Sequence, residues 1–213
     1  MKATSMSRIW LRARFSVASL LRDQSGIAAT EFAVIVPIML VMFFGTVEFS
    51  SGVAVNRKIT LVARTLSDLT SQSSAPADDS YLKNIFTASI AILAPYSPTP
   101  TQATLSEIYV DSNKVATIQW SKAATIASGA TQAALAPSSH AVGDTVTLPP
   151  QLLVKQTYLI LSEVSYLYTP TIGYVMGKSG VTLTDASYTR PRQVACVIYN
   201  NLPPPNPNPC PTP

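Results

Sequence analysis

The stretch Gly26-Ile-Ala-Ala-Thr-Glu31-Phe-Ala-Val-Ile-Val-Pro37-Ile-Met-Leu-Val-Met-Phe-Phe44-Gly-Thr-Val47 decides the architecture of this 213-residue chain. Its 21 residues from Ile27 to Val47 carry one charge, Glu31. At the helical rise they span about 31 Å, enough to cross the hydrocarbon core of a bilayer. Five basic residues (Lys2, Arg8, Arg12, Arg14 and Arg22) and one acid, Asp23, precede the run, and the next basic residue is Arg57. That asymmetry predicts a cytoplasmic N-terminus and an extracytoplasmic remainder. A cleavable secretory signal fits poorly. No small-residue cleavage site follows the apolar run, which continues as Phe43-Phe44-Gly-Thr-Val-Glu-Phe49.

Two residues inside the run are unusual. Pro37 costs about 3 kcal/mol in a soluble helix interior, but neighbouring groups in a membrane can satisfy the carbonyl it frees. Glu31 is expensive at the edge of lipid and is by default a functional residue. The alternative is that it marks the cytoplasmic interface, and spacing alone does not choose between the two.

Composition narrows the function classes. The chain is 47% hydrophobic and 12% charged, against about 25% charged in a soluble domain. All of the +4 net charge sits in residues 1–26, and the rest of the chain holds ten basic and ten acidic residues. A nucleic-acid-binding face on the main domain therefore has no charge support.

The residues around Gly26 carry a resemblance. Arg22-Asp-Gln-Ser-Gly26-Ile-Ala-Ala-Thr-Glu31-Phe-Ala-Val-Ile-Val-Pro37, closed by Phe44-Gly45-Thr-Val-Glu48-Phe49, resembles the N-terminal signature of the TadE/TadG family. Those are pseudopilin-like proteins of the tight-adherence (Flp) type IV pilus assembly system. A second, looser match is Val164-Ser-Tyr-Leu-Tyr-Thr-Pro170 followed by Val181-Thr-Leu-Thr-Asp-Ala-Ser-Tyr-Thr-Arg-Pro191, which resembles the final strands of such proteins. Thr30 and Ser50-Ser51 depart from the usual pattern, and residues 72–158 are not covered.

The resemblance implies a prepilin peptidase site at Gly26 and Ile27. It also implies that Glu31, at the fifth position after the glycine, pairs with the new N-terminal amine of an adjacent subunit. The expected partners are other pilin-like subunits, the pilus assembly machinery, the prepilin peptidase and membrane lipid, with no nucleic acid. The expected role is a minor component or assembly factor, single-pass in the bacterial inner membrane. The alternative is an unprocessed envelope protein that holds a partner through its outer domain.

The rest of the chain predicts an α+β fold: a long helix followed by a small antiparallel sheet of pilin-like arrangement. We expect a basic leader over 1–26, the membrane helix over 27–47 and its amphipathic continuation over 48–72. An outer domain over 73–200 and a proline-rich tail over 201–213 complete the chain. Ile59, Val62, Leu66 and Leu69 fall on one helical face, with Arg64 and Asp68 spaced for an i,i+4 pair. Asp79-Ser80 is expected to cap a helix through Ala94. Ser106–Asp111 and Val115–Trp120 read as a hairpin. Residues 123–136 read as loop with a short helix, and Val142–Leu148 as a short strand or connection. Tyr158–Tyr168 pairs with Val181–Thr189, and Gln193–Tyr199 reads as a further edge.

Little in the sequence points to catalysis. Cys196 and Cys210 enclose 15 residues and are expected to form a disulfide outside the cytoplasm, binding the tail but not the fold. On a chain-entropy model such a bridge is worth about 3 kcal/mol. With one histidine, His140, and no C-x-x-C spacing, a zinc site is not expected. No G-x-S-x-G elbow accompanies His140, so it reads as an exposed loop residue. Asp78-Asp79 and Asp111-Ser-Asn113 lack EF-hand spacing and read as turns. No cofactor motif appears, and no enzymatic activity is expected.

Overall fold

The computed structural model describes residues 25–99, 101–170 and 180–199. Their order is a long helix α1 (Ser25–Ser71), a helix α2 (Asp79–Ile90) with a short 3-10 turn after it (Ala91–Leu93), and five strands. The strands are β1 (Thr101–Val110), β2 (Ala116–Thr125), β3 (Ala134–Ala136), β4 (Thr157–Tyr168) and β5 (Val181–Thr189). They form one antiparallel sheet in the order β3-β2-β1-β4-β5. The expected α+β class holds. Residues 1–24 of the leader and the whole tail, with Cys210, lie outside the described residues.

The chain divides into two compact units, one ending at Val47 and one beginning at Glu48. In the first, the helix has one apolar window of mean hydropathy 2.3, none of it buried. By length and composition it can cross a membrane. Pro37 stands inside it, and Thr30 Oγ1 donates to the Ile27 carbonyl at 2.8 Å.

In the second unit the expected face of α1 is the packing face. Val55, Ile59, Val62 and Leu66 are fully buried, and Leu69 is partly so. They meet Ala103, Leu105, Trp120, Ile160, Val164 and Tyr166 of the sheet and Leu82, Phe86 and Ile90 of α2. Asp68 does not pair with Arg64. It takes Arg192 Nη2 at 2.6 Å and Gln72 Nε2 at 2.7 Å instead, because the chain after β5 returns to the end of α1, where the Arg192 N–H also meets the Ser71 carbonyl.

Several boundaries differ from expectation. Asp78, not Asp79, caps α2, accepting the Tyr81 N–H at 2.7 Å. The helix stops at Ile90 and tightens into the 3-10 turn before Pro95, since Pro95 cannot supply the N–H that would continue the ladder. Residues 123–136 contain no helix. Ala123–Thr125 pair with Ala134–Ala136 as β2 and β3. Gln193–Tyr199 adds no strand to the sheet edge. It returns to the core, where Val197 and Tyr199 are buried and Ala77 bridges to Tyr199.

A bulge explains the sheet's two cores. The β1–β2 register shifts between Glu107 and Ile108, leaving Gln119 extra on β2. One extra residue reverses which face the following side chains take. Trp120 therefore faces α1, whereas Ala116 and Ile118 turn to the opposite face with Ile108, Val110, Leu159 and Leu161. Residues 143–153 cover that second core, with Leu148 buried on it. The stretch Val142–Leu148 is thus a connection, held by bonds such as Ile118 N–H to the Asp144 carbonyl and Val146 N–H to the Ala116 carbonyl.

Candidate functional site

At the start of α1, Gly26, Ile27 and Glu31 are exposed, Ile27 at 51%. A Cβ built on Gly26 meets nothing within 4 Å, and its backbone has no positive φ. The fold therefore does not require a glycine there. Glu31 lies four residues, about one turn, beyond Ile27 on the same helix.

A second constellation lies where the outer unit begins. Glu48 is 4% exposed, and Tyr168 Oη donates to its Oε1 at 2.9 Å. Ser51 also hydrogen-bonds Tyr168, whose hydroxyl is pushed up to about 12 by burial and by the Glu48 carboxylate beside it. Gly52 lies against the Tyr168 ring, where an added Cβ would sit 3.7 Å from Cε1. This joins the two ends of the sequence resemblance. Glu48 comes from the Phe-Gly-x-x-Glu-Phe close, and Tyr168 comes from the Tyr-x-Tyr-x-Pro element on β4.

Glu107 forms the third. It is 2% exposed and accepts the Val197 N–H at 2.6 Å and Trp120 Nε1 at 3.1 Å, while the same indole nitrogen donates to the Val197 carbonyl at 2.7 Å. Burial pushes the Glu107 carboxyl up to about 8, against the two N–H donors that pull it down. Nearby, Tyr199 stacks on Trp120 at 5.7 Å, lies under Lys122 and donates to Asp79. The arrangement clamps residues 197–199 to the sheet.

The outer face of β1, β4 and β5 carries a polar cavity of about 570 Å³, lined by Gln102, Thr104, Ser139, His140, Glu163 and Thr184 among others. His140 is not a free loop residue. Its Nε2 meets Glu163 Oε2 at 2.7 Å. Ser138 Oγ is taken up by the His140 N–H and by Ser121, so the loop's hydroxyl is structural. Asp111 is likewise a turn residue, its Oδ1 accepting the Asn113 and Val115 N–H groups. Among the described residues no group of three or more His, Cys, Asp or Glu side chains could hold a metal ion. Cys196 is buried, and its expected partner Cys210 lies outside the described residues.

Neither Glu107 nor the Glu48–Tyr168 pair was legible as a site in the sequence. For Glu107 the signal is hidden by the bulge, which decides what faces the core. For Glu48 and Tyr168 the only signal was that each belongs to a matched motif.

No curated protein and no solved structure matches the chain. Residues 26–66 match the model of one family, described as TadE-like protein. The match begins at Gly26, runs through Glu31, Pro37 and Glu48, and ends on the buried residue Leu66. The part of the chain that is similar to the TadE-like family thus lies on α1, which has the length and hydropathy to cross a membrane.

Proposed function

We propose that the chain is a pseudopilin-like minor component or assembly factor of a tight-adherence (Flp-type) pilus. It is anchored in the bacterial inner membrane with its N-terminus cytoplasmic and its sheet domain outside. The observation that carries this reading is the TadE-like match on the membrane-length helix, with Gly26 and Glu31 exposed at its start. Its role is structural, not catalytic.

In this reading a prepilin peptidase cuts after Gly26, which removes the basic leader and leaves Ile27 as a free amine. A glycine at the scissile position gives the peptidase access to the backbone. In an array of parallel helices staggered along their axes, Glu31 of one subunit meets the Ile27 ammonium of the next. Each charge is costly alone in lipid, so the array is drawn to the register that pairs them. Buried pairs often barely repay desolvation, and the pair therefore supplies register more than raw stability.

The test is Glu31→Gln, which keeps the shape and removes the charge. The variant is expected to insert and fold normally yet to abolish piliation and co-purification with pilin-like subunits. Normal piliation with the glutamine would reduce Glu31 to an interface marker. The polar His140–Glu163 cavity favours a second reading, an unprocessed envelope protein that binds a partner, and an intact leader on the membrane protein would select it.

A further inference from the structure

The two edges of the sheet are unequal. β3 is three residues long and is followed by Pro137, whereas β5 runs for nine residues and, among the described residues, pairs with β4 alone. The β1–β2 turn tells which backbone groups of β5 face outward. The Asp111 N–H bonds the Val115 carbonyl, so odd residues at that end of β1 face β2 and even ones face β4. Carried through the unbroken β1–β4 and β4–β5 registers, the odd residues of β5 face β4. Thr182, Thr184, Ala186 and Tyr188 then turn N–H and C=O groups to the open edge. Ala186 agrees: its N–H is held by Asp185 Oδ1 at 2.8 Å and not by β4.

Long edge strands usually carry a lysine, a proline or an outward charge that blocks pairing. β5 has no lysine and no proline. Its one charge, Asp185, receives a hydrogen bond from Thr60 Oγ1 on α1.

Beside this edge lies a cleft of about 440 Å³ between α1 and β5, lined by Arg64, Thr65, Asp68, Ser187, Thr189 and Arg192. Asp68 is already engaged by Arg192 and Gln72. Arg64 is exposed, and although its carbonyl accepts the Ser67 hydroxyl, its guanidinium has no hydrogen-bond or ion-pair partner among the described residues. Arg190, at the end of the strand, is exposed as well. Arg64 and Arg190 set two cations against the one carboxylate of Asp185, whose described partners are the Thr60 hydroxyl and the Ala186 N–H, so the net charge beside the edge is positive.

We propose that the β5 edge and the Arg64 cleft form one docking surface, which takes an extended segment of a partner protein. The segment adds a strand to β5 through main-chain hydrogen bonds and places an Asp or Glu carboxylate against Arg64. A second copy of this chain is a poor occupant, because its own Arg64 and Arg190 would approach the same cations. Residues 203–213, with seven prolines, supply too few N–H groups to serve. The inference rests on the proposed function only for where the partner is sought, among subunits of the pilus machinery.

The test places a photo-crosslinking amino acid at Thr182 of the full chain in its native membrane, with adducts mapped by mass spectrometry. The expected adduct joins one acidic, extended segment of another pilus subunit. Thr184→Pro removes an outward N–H without touching the β4 ladder, and Arg64→Glu reverses the cleft charge. Each is expected to cut the adduct about tenfold, equivalent to about 1.4 kcal/mol, with the melting temperature unchanged. No adduct, an adduct with a second copy only, or an adduct indifferent to both substitutions overturns the proposal. If Glu31→Gln abolishes piliation while no adduct forms, the docking surface fails and the pilus reading stands. If deleting the chain leaves piliation unchanged and an Arg64-dependent adduct joins a protein outside the pilus machinery, the docking surface stands and the pilus reading fails.

Discussion

Glu107 titrates near 4.5 when unfolded and near 8 in the fold. Between those values the folded chain holds a proton that the unfolded chain has released. The stability this group contributes is therefore complete below about 4.5 and is lost as pH rises toward 8. Thermal unfolding of the detergent-solubilised chain is expected to show a falling melting temperature across that window. Glu107→Gln, which keeps acceptor oxygen for Trp120 or Val197 and cannot ionise, is expected to flatten the fall. A profile unchanged by the substitution would place the pH dependence elsewhere. The sequence could not announce this residue, because a glutamate between Ser106 and Ile108 looks like the polar side of an alternating strand. Gly26 and Glu31 were legible for the opposite reason. Nothing packs against them, so their identity has to be explained by something other than the fold. Gly26→Val is accordingly expected to leave the fold intact while blocking removal of the leader, read as a larger apparent size in cells that express the peptidase.

At the scale of elements, the spacing of Val55, Ile59, Val62 and Leu66 was enough to assign the packed face of α1, because a helix presents its face by periodicity alone. The hairpin β4–β5 was legible for a similar reason. Its alternation and its bounding Pro170 and Pro191 are local signals. What lay beyond local signals was the return of residues 193–199 into the core, which depends on a buried acceptor 90 residues away. Cys196 belongs to this segment. Val197 and Tyr199 are core residues, so the stretch around Cys196 is anchored without help from the tail, and Cys210→Ser is expected to loosen the end while the sheet still melts cooperatively. Mass spectrometry of protein from an oxidising compartment that finds both thiols free would remove the proposed bridge. The Glu48–Tyr168 bond sets a further expectation. Tyr168→Phe deprives a buried carboxylate of a donor and should cost about 1–3 kcal/mol, measured by chemical denaturation. A loss below a few tenths would mean that Glu48 is satisfied without it. Leu66→Ala, in the centre of the same core, should cost about 2–5 kcal/mol.

For the whole molecule, the division between Val47 and Glu48 separates an apolar helix with no buried window from a unit with its own core. By length and composition that helix can cross a membrane. The charge distribution is consistent with a removable leader, since residues 1–26 hold the whole +4 and the remaining chain is balanced. Removal would leave a neutral subunit able to pack beside others of its kind without net repulsion. In the proposed reading the working form of this protein begins at Ile27, and N-terminal sequencing of the protein extracted from the membranes of its own cells decides it. The expected sequence starts Ile27-Ala-Ala-Thr-Glu31, and an N-terminus at Met1 or anywhere else in the leader would overturn the proposal.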